Sequence, residues 1–160
     1  MSARPKSVQA KSTQPRPLEK PSLTLKRRLN APPSKVFAAW TDPERLAQWF
    51  GPADTVAGSA SAELDVRVGG RFRVRFSSTN GEQHEVGGVN REVTPDQRLV
   101  FTWAWRSTPE RESLVSVTLR PDGAATLLTL THEQFFDQAA RDGHERGWTG
   151  TLDKLERYFG

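Results

Sequence analysis

Between Leu64 and His132, apolar residues fall at every second position in six short runs separated by turn residues. Leu64, Val66 and Val68 alternate with Glu63, Asp65 and Arg67 as far as Gly69-Gly70. Phe72, Val74 and Phe76 then alternate with Arg71, Arg73 and Arg75 as far as Asn80-Gly81, a dipeptide suited to a tight hairpin. Further runs cover Glu85–Val93, closed by Pro95-Asp96, then Leu99–Trp105, Leu114–Arg120 and Ala125–His132, the last two joined by Pro121-Asp122-Gly123. Period-two runs joined by short turns predict an antiparallel meander with one apolar face.

The flanking segments read differently. Leu23–Leu29 is a first strand, alternating at Leu23 and Leu25 and departing from the strict pattern at Arg27 and Leu29. A short helix from Ser34 to Trp40 follows Pro32-Pro33. A second opens at Thr41-Asp42-Pro43, with Asp42 as N-cap and Pro43 at the first helical position, and stops at Gly51-Pro52. From Ala139 to Phe159, Trp148, Leu152, Leu155 and Phe159 recur at steps of four, three and four, one face of a long helix. Such a helix needs a sheet to cover its apolar stripe, so the chain is α+β. Gly143, Gly147 and Gly150 form a second stripe. Each helix-interior glycine costs about 1 kcal/mol against alanine. The stripe therefore implies either close packing on the strands or space left between helix and sheet.

The pI near 9.8 suggests an anionic partner until the charge is located. Residues 1–21 hold Arg4, Lys6, Lys11, Arg16 and Lys20 against Glu19, a net +5 − 1 = +4, and the whole chain is also +4. Residues 22–160 are thus formally neutral and carry no electrostatic footprint for nucleic acid. Residues 1–21, rich in Pro, Ser, Lys and Gln, are expected to be a disordered basic tail before one domain at 22–160. No run is apolar enough to span a membrane and no signal segment follows the first charges. With no cysteine, the chain has neither disulfides nor thiolate chemistry and fits a reducing cytoplasm.

Candidate chemistry is sparse. His84, His132 and His144 are each followed by Glu, but none forms HExxH and no cluster has metal spacing, so no metal or other cofactor is expected. Strand period puts His132 beside Leu128 and Leu130 on the helix-facing side, where an imidazole at a cavity rim could bond a ligand head group or simply be satisfied by neighbours. His132, Glu85 and His144 would be the acid–base set of an enzyme, although nothing in their spacing makes them converge, and no residue is assigned as catalytic. The Arg71, Arg73 and Arg75 row points away from the apolar face, where Glu63 and Asp65 on the neighbouring strand could pair with it.

Five ordered motifs narrow the fold: AAWTDPERLAQWFGP at 38–52, ELDVRVGGRFRVRF at 63–76, RLVFTWAW at 98–105, ATLLTLTHEQF at 125–135 and HERGWTGTLDKL at 144–155. Together they resemble the activator-of-Hsp90-ATPase-homologue-1-like family of the START-like (SRPBCC) superfamily. The resemblance implies a helix-grip fold: a curved seven-stranded antiparallel sheet in the order 1-7-6-5-4-3-2 around the C-terminal helix, with two short helices after strand 1. It also implies a hydrophobic cavity between sheet and helix for a small apolar or amphipathic ligand. The inward residues Trp40, Trp49, Phe72, Val74, Phe76, Phe101, Trp103, Trp105, Val117, Leu130, His132, Gly147, Trp148 and Leu152 are the candidate lining. Trp49 and Trp103 are singled out because the short helices would close one mouth of the grip. A second reading is a stress-response or co-chaperone-type interaction protein with an Hsp90-type partner. The eukaryotic co-chaperone behind the family name makes much of that contact through a separate N-terminal domain, and here 21 residues precede the expected domain. A third is a cyclase- or hydrolase-like enzyme using polar cavity residues. The expected assembly is a monomer or a homodimer.

Overall fold

A computed structural model describes residues 20–160. The expected tail at 1–21 lies outside them except for its last two residues. The elements in chain order are β1 (Leu23–Leu29), α1 (Pro33–Thr41), α2 (Pro43–Trp49), β2 (Ser61–Leu64), β3 (Arg71–Ser77), β4 (Gln83–Thr94), β5 (Arg98–Trp105), β6 (Ser113–Asp122), β7 (Ala125–Glu133) and α3 (Gln138–Tyr158). The seven strands form one curved antiparallel sheet in the order β1-β7-β6-β5-β4-β3-β2. The meander runs outward from β7 to β2, and β1 closes the other side by pairing with β7, Leu23 opposite His132 and Leu29 opposite Thr126. This is the helix-grip arrangement, with α3 lying across the sheet's apolar face.

Local chemistry places the helices. The Asp42 side chain accepts from the backbone N–H groups of Glu44 and Arg45 at 3.0 and 3.3 Å, and Pro43 occupies the first turn, where its missing donor costs nothing. Asp137 caps α3 in the same way, accepting from the Ala140 N–H at 2.8 Å. Trp148, Leu152 and Leu155 of α3 are buried, while Phe159, just past the helix, is only partly covered. The core they join runs from Leu23 and Leu29 on β1, through Val115, Val117 and Leu119 on β6, to Val74 and Phe76 on β3.

Two strand readings need correction. β2 ends at Leu64, opposite Phe72, and Val66 and Val68 lie outside it, 40% and 62% exposed. The alternation continues in the sequence but the ladder does not. Gly69 takes a left-handed φ of 84°, the Gly70 N–H bonds the Arg67 carbonyl at 2.9 Å, and Gly70 sits so close to the Asp65 carbonyl that a Cβ would collide with it. In β1, Arg27 and Leu29 keep the inward alternation. Arg27 faces α3, where its guanidinium bonds Glu156 at 2.7 Å and Asp153 at 3.0 Å. With the Arg27 side chain only 18% exposed, this pairing clamps the edge strand to the C-terminal half of α3.

The glycine stripe divides. At Gly150 an added Cβ would stand 2.8 Å from the backbone nitrogen of Ala53 and 3.2 Å from its Cβ, so this glycine is a close approach between α3 and the segment after α2. At Gly147 no heavy atom lies within 4 Å of such a Cβ, and at Gly143 only the Arg146 guanidinium does, at 3.8 Å. Alanine at 143 or 147 is expected to raise stability by about 0.5–1 kcal/mol through helix propensity and reduced unfolded-state entropy. Alanine at 150 should lower it, because backbone must move. Urea unfolding of the three variants checks the sign reversal.

Candidate functional site

The space above Gly143 and Gly147 is a cavity of about 430 Å³ between the N-terminal half of α3, the β3–β4 hairpin, β5 and the segment after α2. Five rings dominate its wall: Phe50, Phe76, Trp103, Trp105 and Trp148. Phe50–Phe76 and Trp103–Trp105 meet edge to face with centroids 6.0 and 5.5 Å apart, and Trp103–Trp148 are tilted at 5.1 Å. Polar groups sit among them: Ser78, bonded through Oγ to His84 Nε2 at 2.7 Å, and Thr151, with the carboxylates of Asp54 and Glu82 on the lip. The C-terminal half of α3 has no such gap, because Leu152 and Leu155 fill it.

Two histidines, His144 in the cavity wall and His132 behind it, hold three of the indoles. Trp148 Nε1–H donates to His132 Nδ1 at 3.0 Å. An indole nitrogen is only a donor, so His132 Nδ1 carries no proton, and the neutral ring's Nε2–H donates to Ser113 Oγ at 2.7 Å. Ser113 passes its own hydrogen to the Trp103 carbonyl at 3.3 Å. Trp105 Nε1–H donates to His144 Nε2 at 2.8 Å, and the Trp103 indole shares that acceptor at 3.3 Å. The His144 proton is thereby placed on Nδ1, which donates to the Ala140 carbonyl at 2.7 Å. Burial, with a smaller contribution from His144, pushes the His132 pKa down to about 2; burial also lowers that of His144. Both rings are therefore neutral at pH 7, with every nitrogen engaged.

This corrects the position expected for His132. The residue faces α3 beside Leu128 and Leu130, but it is fully buried rather than at a rim, because the Trp148 ring covers it. The acid–base set does not assemble either. His132 and His144 lie with ring centroids 5.1 Å apart, whereas Glu85 points to the opposite face of the sheet. There Glu85 pairs with Arg75 at 2.8 Å, and the adjacent guanidinium holds its carboxyl below the usual range. The arginine row is paired in part: Arg73 bonds Glu63 at 2.6 Å, Asp65 pairs with Arg67 instead, and Arg71 has no ion pair among the described residues. Among the described residues no group of three His, Asp or Glu side chains could hold a metal ion.

The candidate lining residues separate between two spaces and the core. Phe76, Trp103, Trp105, Gly147 and Trp148 line the main cavity. Trp40, Phe72, Val74 and Phe101 line a second chamber of about 50 Å³, which shares Phe50 and Trp103 with the first. Trp49, Val117, Leu130 and Leu152 line neither and belong to the core; Trp49 donates its Nε1–H to the Ala39 carbonyl at 3.2 Å. Phe50, Ser78, His84 and Thr151 were missed. The step of three from Trp148 to Thr151 is a signal that could have found Thr151. Phe50, just past the end of α2, offers none.

Residues 30–160 match the family described as activator of Hsp90 ATPase homolog 1-like protein, most of the chain. The chain belongs to that family. Among solved structures, the AHSA1 protein of Silicibacter pomeroyi is 29% identical, with a TM-score of 0.71 over 86% of this chain and 96% of that one. Protein CV1439 of Chromobacterium violaceum is 26% identical, with a TM-score of 0.73 over 87% and 97%. Protein NE0264 of Nitrosomonas europaea is 28% identical, with a TM-score of 0.68 over 86% and 92%. No curated protein matches the chain. Membership in this family is consistent with ligand binding or with co-chaperone-type interaction, and no helix among the described residues is long and apolar enough to cross a membrane.

Proposed function

We propose that this member of the family binds a small, mostly apolar molecule in the cavity between α3 and the sheet. The observation that carries the reading is the 430 Å³ space walled by five aromatic rings, left open on the helix side by Gly143 and Gly147. That volume is within the range of small-molecule sites, which combine apolar walls with a few polar groups. Burying roughly 200 Å² of apolar ligand surface would contribute about 5 kcal/mol at 25 cal/mol per Å², before ordering costs. The Ser78–His84 pair and Thr151 offer the polar contacts that set orientation. An Hsp90-type partner is supported by family membership alone, and acid–base catalysis by His132, Glu85 and His144 is opposed by their geometry.

Titration with neutral lipophiles, beginning with N-phenyl-1-naphthylamine, tests the reading through intrinsic fluorescence. Three of the five tryptophans touch the cavity, so a bound aromatic molecule should quench their emission in a saturable way with a micromolar midpoint. A varied panel that leaves the emission unchanged would sink it.

A further inference from the structure

Each indole but one has a partner among the described residues. Trp49 donates to the Ala39 carbonyl, Trp103 and Trp105 to His144, and Trp148 to His132. The Nε1–H of Trp40 is buried and donates to nothing, although the residue is only 6% exposed. A buried donor without an acceptor is unfavourable and uncommon in native structures. Trp40 lines the 50 Å³ chamber with two polar side chains, Asn90, whose Nδ2 donates to the Asp65 carbonyl at 2.9 Å, and Thr41, whose hydroxyl donates to the Phe37 carbonyl at 2.8 Å. Phe50 and Trp103, whose ring centroids are 6.2 Å apart, line both this chamber and the main cavity.

We propose that the chamber beside Phe50 and Trp103 is a second compartment of the ligand site, and that it takes a hydrogen-bond acceptor, a carbonyl or ether oxygen, from the Trp40 indole N–H. The proposal rests on the cavity reading above and narrows it to molecules with one end that is apolar except for one oxygen. Carboxylates are disfavoured there, since the chamber's lining holds no charged side chain and a neutral indole would not compensate the loss of their hydration.

A matched pair of probes tests it. 2-Acetylnaphthalene and 2-isopropenylnaphthalene have the same shape and differ in a C=O replaced by C=CH₂. The ratio of their affinities is measured by calorimetry for the full chain and for Trp40→Phe, which keeps the aromatic volume and deletes the donor. The ratio should shift about tenfold against the ketone in the variant, as expected for loss of one buried hydrogen bond. The infrared carbonyl band of the ketone bound to the unmutated chain supplies a readout that does not depend on the variant folding. It should lie below its frequency in an alkane. Both probes binding with a ratio indifferent to Trp40→Phe, or a bound carbonyl at its alkane frequency, overturns this proposal and leaves the cavity reading standing. Neither probe binding the unmutated chain removes both.

Discussion

Acidification from pH 7 to pH 4.5 is expected to cost the folded protein about 2.5 kcal/mol through His132 alone. The sign follows from where the proton binds. In the unfolded chain His132 titrates near 6.5; in the fold its pKa is down to about 2, because the ring is desolvated and a second histidine lies beside it. The unfolded state therefore takes up the proton first. Stability is complete above pH 6.5 and falls by about 1.4 kcal/mol per pH unit as the pH drops toward 2. Protonating the folded ring would also remove the acceptor that holds Trp148 at 3.0 Å. His144 adds to the loss in the same direction, since its pKa is lowered by burial too. Urea unfolding at the two pH values measures the sum, and His132→Gln isolates the His132 part. Glutamine can accept from Trp148 and donate to Ser113 without titrating, so its slope should be smaller by one proton. An unchanged slope would mean that His132 is solvated in the fold.

Leucine at Gly147 is expected to abolish binding of aromatic lipophiles, at least a hundredfold, while leaving the fold intact. The position has open space where a side chain would emerge, and a leucine there projects among Trp103, Trp105 and Trp148. Helix propensity favours the change by roughly 0.8 kcal/mol, so stability should hold or rise. The combination distinguishes a site from a packing seam. A packing glycine would yield loss of fold, as Gly150→Leu should through its collision with Ala53. Circular dichroism and thermal unfolding report the fold, and probe titration reports the site. Binding unchanged in Gly147→Leu would place the ligand elsewhere.

Much of this architecture is legible in local sequence because local physics determines it. The period-two runs and their glycine turns become strands of the meander, the Asp42-Pro43 cap opens α2, and the stripe of Trp148, Leu152 and Leu155 faces the sheet. The departures have non-local causes. Arg27 looked like a break in alternation, yet its partners Asp153 and Glu156 lie 126 and 129 residues along the chain. Val66 and Val68 continue a pattern whose hydrogen-bonded partner has already turned away at Gly69 and Gly70.

The candidate site was legible in part for a related reason. Periodicity states which face a residue occupies, not how deep it lies, so it offers Leu130 and Leu152 on the same terms as Trp103 and Trp148. The division between filled core and open cavity depends on where along α3 side chains stop, and Gly143 and Gly147 mark that place. His132 faced the helix as expected. What turned it from a ligand group into a support was an indole from α3, sixteen residues later, that no spacing rule anticipates.

A crystal structure of the chain grown with N-phenyl-1-naphthylamine would reveal whether a molecule sits over Gly147. Density for the probe is expected among Phe50, Trp103, Trp105 and Trp148, with no displacement of His132 or His144. Density confined to the outer groove beside Arg73, Glu85 and Arg106, with the cavity closed by its own aromatic rings, would contradict it.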